Sequence, residues 1–553
     1  MEFKEKYLKL GVAVAAVAIP LALIGVMVAI KSDRQPAQQH AAQNEPPQAV
    51  AQERKPDSVI AQIASPEVRT ALEHLYATVD GKLMWSGDGA AQRRLRDVTD
   101  EMDAIAAQGL DVSKVTVARD ALAKATPADA AKHDVAMTEQ VLAMTRALRF
   151  GQVPAARIED WHVAGDTVDI VPELAAALKS TKVSAFLRTL SPAGPAYTDL
   201  VKSLARYRAL DAAGGWPQIE SEGELKIDLA DPRMATLQRR LTAEGYFAAN
   251  MGLSKSTLME ALKSFQARNG LEPDGRIGKG TLAALNVTAQ SRVGQILANL
   301  ERQRHLSRAV PENRITVNTA DQSLVLYTDG APALRLRTIV GDRKHPTPML
   351  SLKLAAVTLN PTWEIPPSIA SKEILPHLKR DPAYLAKNEM VVVDGPADPQ
   401  GLDIDWHRYS AMPWRLRQLA GAQNALGELK FEMWNSYNIY LHDTPGRHLF
   451  AKADRYMSHG CVRVDQSREL ARRVLNQEEW NEETLAAAIA TGGTKMIRLK
   501  QAIPVQILYW TAFVDDAGEL QFRPDAYRRD APLAEELGYP PQRAATHVAS
   551  REQ

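Results

Sequence analysis

The chain has a single cysteine, Cys461, among 553 residues, and that scarcity excludes a fold stapled by its own disulfides. It also lacks an excess of either charge: 67 lysines and arginines stand against 66 aspartates and glutamates, for a formal net charge of +1. With no long basic run to track a phosphate backbone, no nucleic acid is expected as a partner. Bulky apolar residues are scarce across 35–57, which is rich in Gln, Ala and Pro. That stretch cannot bury enough surface to fold and is expected to be a flexible linker. At typical domain sizes the length implies roughly three or four domains.

What is present begins with an apolar run from Leu10 to Ile30, with lysines before it and Lys31 and Arg34 after it. As a helix these 21 residues would span roughly 30 Å, enough for a bilayer core. The run exceeds the roughly 7–15 residues of a signal-peptide core, and no clear cleavage site follows it. Residues 1–34 are therefore expected to be an N-terminal membrane anchor, with a cleaved signal as the alternative. Either address exports the remainder.

Residues 58–227 read as a helical scaffold domain. Ser65 suits an N-cap, Pro66 a first helical position, and Val68, Leu72, Leu75 and Tyr76 recur on one face. Residues 228–288 form a second helical unit. Met234, Leu237 and Leu241 line one helix before Gly245, Leu258, Ala261, Leu262 and Phe265 a second before Gly270, and Thr281, Leu282 and Leu285 begin a third. A helical connector is expected at 289–311.

From 312 to 530 the pattern is β-rich, with strands predicted at Arg314–Asn318, Leu324–Tyr327, Leu334–Val340, Leu352–Leu359, Ile439–His442, Met496–Leu499, Val505–Phe513 and Leu520–Phe522. A stretch at about 368–435 breaks this rhythm and is expected to be a lid insertion, helical at Glu373–Leu378 and at Arg415–Leu419. Residues 531–553 are expected to be a C-terminal tail. The fold class is multidomain α+β.

Cys461 sits in the run Ser458-His459-Gly460-Cys461-Val462-Arg463, and His442 ends a predicted strand nearby. A thiol needs a base or a cationic neighbour to attack an acyl carbon quickly. His442 supplies that base if the fold brings it beside Cys461. Gly460 permits a tight turn whose amides would face a developing oxyanion, and Asp465 suits an N-cap for the helix carrying Leu470, Ala471, Val474 and Leu475. Other readings of the same residues are an inert buried thiol, a His459 ring that only braces the turn, and a zinc site made of His442, His459 and Cys461.

Tyr440-Leu441-His442-Asp443 followed by Ser458-His459-Gly460-Cys461-Val462-Arg463 resembles the L,D-transpeptidase (YkuD) catalytic domain. Asn360-Pro361-Thr362-Trp363, Thr347-Pro348, Asn424-Ala425-Leu426-Gly427 and His442-Asp443-Thr444-Pro445 agree with it. They resemble the large periplasmic branch, in which a helical scaffold, a peptidoglycan-binding domain and a lidded catalytic domain share one chain. Leu262 to Gly275 likewise resembles the small three-helix peptidoglycan-binding domain, and the resemblance as a whole spans roughly 60–530.

The resemblance implies Cys461 as nucleophile and His442 as general base. It implies Tyr440 and the backbone at Gly460 and Cys461 as oxyanion stabilisers, with His459 and Ser458 shaping the turn. Arg463, Asn424 and Trp363 are expected at the substrate; for Arg463, holding a stem-peptide carboxylate and bracing the loop are both open. The implied reaction moves the acyl group of the third stem residue, diaminopimelate, to Cys461 with loss of D-Ala, then to an amine of a second stem. Water, a lipoprotein lysine or a free D-amino acid are alternative acceptors, and a non-catalytic wall-binding scaffold is a reading of another class. Expected partners are peptidoglycan stem peptides, wall glycan through 228–288, the inner membrane through the N-terminal helix, and carbapenem-type inhibitors. No metal or organic cofactor is implied, and the expected location is the periplasm.

Overall fold

The computed structural model describes residues 55–540, apart from 221–224, 249, 396 and 476–479. The expected anchor at 1–34 and the linker up to 54 lie outside the described residues. Among the described residues no helix is long and apolar enough to cross a membrane.

The scaffold comprises eight α-helices among the described residues, from α1 (Pro56–Ile60) to α8 (Pro195–Ala212). Helix α1 starts inside the stretch expected to be linker, because Pro56 suits a first helical turn and Ile60 is buried in the scaffold core. In the helix Pro66–Ala77 the Ser65 hydroxyl caps Val68 N, and Leu72 and Leu75 face inward. The scaffold also contributes strand β1 (Trp161–His162), which adds in parallel to a strand of the catalytic sheet at Met349 and Leu350. Trp161 and Val163 bury in the catalytic core.

Helices α9 (Arg233–Ala243), α10 (Lys255–Arg268) and α11 (Lys279–Leu285) enclose a separate small core around Leu237, Leu241, Leu258, Leu262 and Phe265. The turn after α10 is fixed by Gln266, whose amide nitrogen donates to Asp274 at 2.9 Å and whose oxygen accepts from Gly275 N at 2.8 Å.

Helix α12 (Ala289–Arg304), in the stretch expected to be a helical connector, is largely buried. Val293, Ile296, Leu297 and Leu300 pack against Leu200 and Leu204 of α8, while Ala298 joins the catalytic core. Its charged residues are buried too, which a solvent-facing connector would not require. Arg292 donates to Asn269 at 2.6 Å, Arg304 to Glu301 at 2.9 Å, and Arg302 to Asp530 at 2.6 Å.

The β-rich domain is built on strands β2 (Arg314–Asn318), β3 (Ser323–Thr328), β4 (Ala331–Gly341), β5 (Met349–Leu359), β9 (Leu429–Glu432), β10 (Leu441–His442), β12 (Val462–Val464) and β13 (Lys495–Leu508). They pair in the order β5-β13-β2-β3-β4-β12-β10-β9, and a β5–β9 pairing closes the ring. Strand β1 extends β5, and β11 (Tyr456–Ser458) pairs with β4. The two strands predicted at 496–499 and 505–513 are largely one strand, β13, irregular between Arg498 and Ile503. Its far end is interrupted before β14 (Ala512–Val514), which pairs with β15 (Leu520–Phe522).

Between β5 and β9, strands β6 (Trp363–Ile365), β7 (Met390–Val392) and β8 (Leu416–Gln418) form a three-stranded sheet. This sheet and the helices α13 (Pro367–Ile369), α14 (Leu375–Leu378) and α15 (Tyr384–Lys387) enclose a core of their own around Ile374, Leu378, Trp406 and Leu416. The lid expected at 368–435 therefore begins at β6 and ends before β9, which belongs to the barrel. The stretch Arg415–Leu419, expected to be helical, is strand β8, because Leu416 and Gln418 bury on either side of a half-buried Arg417.

Helices α16 (Ser467–Leu475) and α17 (Glu482–Ala490) follow β12. Asp465 lies before α16 but accepts from the adjacent Gln466 N at 3.0 Å and pairs with Arg337, rather than capping the helix. The expected C-terminal tail opens with helix α18 (Asp530–Glu536), held because Leu533 and Ala534 bury against α12 beside Gly294.

Burial pushes the Asp530 carboxyl up to about 6, while the Arg302 guanidinium opposes that rise. Arg302→Met strips the carboxylate of its cation inside the core, and the expected loss is about 3–5 kcal/mol. An unpaired Asp530 is tolerated only when protonated, so the loss is smaller at pH 5 than at pH 8; denaturant unfolding at the two pH values measures it.

Candidate active site

The register of three neighbouring strands arranges the candidate residues. Parallel β10 and β12 place Leu441 beside Val462 and His442 beside Arg463, and Val462 N donates to Tyr440 O at 3.1 Å. Antiparallel β9 places Lys430 beside His442 and Phe431 beside Leu441. Alternate residues share a face, so Phe431, Leu441 and Val462 point into the barrel core, where all three are fully buried. The opposite face carries two rows: Lys430, His442 and Arg463, then Glu432, Tyr440 and Cys461.

The Cys461 thiol donates to Asn438 O at 3.5 Å; burial and then the nearby Cys461 push the Tyr440 hydroxyl up, while Trp363 opposes that rise. Trp363 stands on β6, so the lid sheet reaches the row that holds Tyr440 and Cys461. Lys430 Nζ lies 4.6 Å from the Tyr440 ring centroid and 2.9 Å from Glu432. Glu432 in turn accepts from Thr358 at 2.8 Å.

Burial sets the protonation states. It pushes the Cys461 thiol up, against the Tyr440 hydrogen bonds and the charges of Lys430 and Arg463. It pushes His442 down to about 3, with Arg463 and Lys430 adding in the same direction. Both displacements favour a neutral thiol beside a neutral imidazole. His442 Nδ1 is buried with no hydrogen-bond partner, and so is Arg463 Nε. Among the described residues no carboxylate pairs with Arg463.

The turn before Cys461 is fixed from several sides. Ser458 Oγ donates to Cys461 O at 2.5 Å and accepts from Gly460 N at 3.2 Å. Gly460 has φ +111°, a conformation that favours glycine. Thr347 donates to Gly460 O at 2.8 Å and accepts from Gly341 N at 2.9 Å. The Gly460 amide, expected to face an oxyanion, donates to Ser458 Oγ instead.

His459 faces outward. Its Nε2 lies 2.7 Å from Glu373 of the lid, and its ring centroid is 4.9 Å from that of His345. It ties turn to lid instead of joining His442 and Cys461. Among the described residues no three His, Cys, Asp or Glu side chains are placed to hold a metal ion. Asn424, expected at the substrate, is fully buried. Its amide nitrogen donates to Pro361 O at 3.1 Å and Leu419 O at 2.8 Å, and its oxygen accepts from Leu426 N at 2.8 Å. It braces the lid's return to the barrel and has no group left for a ligand.

Lys430 and Glu432 escaped the sequence reading because they fell inside the presumed lid. Their signal was the alternation of Leu429, Phe431 and Met433 with polar residues between them. A cavity of about 440 Å³ lies elsewhere, at the scaffold junction near Arg149, Trp161 and His305.

Residues 312–500 match the family model described as the L,D-transpeptidase catalytic domain. These residues are an L,D-transpeptidase catalytic domain. Upstream of the transpeptidase domain, residues 70–204 match a scaffold domain and 230–285 a "Putative peptidoglycan binding domain". A Haemophilus influenzae protein named "Putative L,D-transpeptidase" is 35% identical over 246 residues, 43% of this chain and 50% of that protein. The chain thus spans about half the length of this curated relative. A solved structure titled as the Ldtfm-avibactam carbamoyl enzyme is 11% identical, covering 40% of this chain and 64% of that one, with a TM-score of 0.18.

Within the transpeptidase domain, Lys430→Met removes a charge that favours the thiolate. Alkylation of Cys461 by iodoacetamide is expected to shift to higher pH, and Lys430→Arg to retain the parent profile. Because Cys461 is the sole cysteine, the label reads that site alone.

Proposed function

We propose that the protein crosslinks peptidoglycan by L,D-transpeptidation. The observation that carries this is the shared face: the register aligns Tyr440 with Cys461 and His442 with Arg463, all on one side of the sheet. In the proposed first step Cys461 Sγ attacks the carbonyl joining diaminopimelate to the terminal D-Ala of a tetrapeptide stem, and its proton passes to His442. The Tyr440 hydroxyl donates to the oxyanion while Trp363 supports it. Collapse breaks the peptide bond, the proton returns to the departing D-Ala amine, and a thioester remains. The side-chain amine of a second stem then attacks the thioester, His442 takes its proton, and the thiol is restored.

Arg463 has hydrogen-bonding capacity to spare and is placed to hold a stem carboxylate. The module matching 230–285 would hold the wall near the site. The proposed chemistry calls for a periplasmic location, where the stems are, and the apolar run at 10–30 is the proposed anchor. Carbapenem-type acylating inhibitors would be attacked by the same thiol.

Incubating the protein with disaccharide tetrapeptide is expected to yield dimers that lack one D-Ala, read by mass spectrometry, and Cys461→Ala to yield none. Tripeptide monomers alone would assign water as the acceptor; dimer formation by Cys461→Ala would overturn the mechanism.

A base held down to about 3 stays neutral far below the ordinary histidine value of about 6.5. Values of kcat/KM are therefore expected to stay level from about pH 5 to pH 8 rather than fall through pH 6.5.

A further inference from the structure

Among the described residues, two of the most exposed aromatic side chains, Trp434 at 61% and Tyr437 at 44% exposure, flank one tight loop beside Cys461. Burial of large apolar groups is the norm, and no packing role accounts for Trp434. The loop is rigidly built. The Asn435 carboxamide donates to Met433 O and, at 2.8 Å, to Ile439 O, and accepts from Tyr437 N at 3.0 Å and Ile439 N at 3.2 Å. From the scaffold, His162 places its ring 4.6 Å from that of Tyr437. The Arg498 guanidinium lies 5.8 Å over the Trp434 ring. The next residue in the loop, Asn438, holds the Cys461 thiol through its carbonyl.

We propose that Trp434 and Tyr437 form a sugar subsite that stacks a pyranose ring of the glycan strand bearing the donor stem. This rests on the reading of the site as a peptidoglycan transpeptidase. A pyranose presents apolar C–H faces and a rim of hydroxyls. The loop offers π faces separated by exposed polar residues, Ser436 and Asn438, with Arg498 alongside. The stem's own carboxylates and amines call for charge instead. Two aromatic side chains cover at most about 300–500 Å², short of the roughly 800 Å² per partner of a stable protein interface.

The reach agrees. With its third residue at Sγ, an extended stem returns to its sugar after about 10 Å, and the four-residue path from Asn438 to Trp434 spans at most about 15 Å.

The test compares two donors on the full chain, disaccharide tetrapeptide and free tetrapeptide. Trp434→Ala is expected to raise the ratio of their KM values (disaccharide over free) about tenfold, and Trp434→Phe to restore it. An unchanged ratio in Trp434→Ala overturns the subsite. If the parent turns over neither donor, the function itself is wrong. Saturation-transfer NMR with the peptide-free disaccharide then decides the subsite separately: signal lost in Trp434→Ala supports it, and signal equal to the parent's refutes it.

Discussion

The parallel pairing of β10 with β12 is the constraint on which the site depends. Strand faces alternate, so a slip of one residue on either strand would turn Cys461 or His442 into the barrel and bring Val462 or Leu441 out. Each strand is short, and the register is held from outside it. Val462 N bonds to Tyr440 O, Ser458 bonds back to Cys461 O, and Thr347 pins Gly460 O. A neutral pair costs less to bury than an ion pair.

Helix α12 takes the opposite course and buries charges in pairs. It carries Arg292, Glu301, Arg302 and Arg304 through the interior and bonds the arginines to groups from different parts of the chain: Asn269 from the module after the scaffold, Tyr197 from α8, Asp530 from α18. Each such pair has one favourable arrangement, so the units are fixed in relation to one another more firmly than apolar contact alone would require. The scaffold strand β1 and the His162 ring extend that rigidity to the loop beside Cys461.

Much of this was legible beforehand, and the parts that were not share a cause. Strand β2 has the bounds expected of it, since Ile315 and Val317 alternate with polar neighbours. Cys461 and His442 stood out in the sequence as a motif, although only the fold shows Lys430 and Arg463 flanking the histidine. Strand β8 was misread because three residues are too few to separate period 2 from period 3.6. Asn424 lay within a segment that suggested substrate contact, yet no pattern distinguishes an asparagine facing a ligand from one bonded to backbone carbonyls. His459 was expected to shape its turn, and its bond to Glu373 crosses 86 positions of sequence, which no local signal records.

Strand β1 lies far ahead of its partner in the chain. Trp161 and Val163 emerge during synthesis long before Met349 and Leu350, the residues that cover them. Until the catalytic half follows, the scaffold carries an unpaired strand edge and an uncovered indole, both of which favour misassociation. Its folding is therefore completed by a later part of the same polypeptide, and the boundary between scaffold and catalyst is one of sequence rather than of folding.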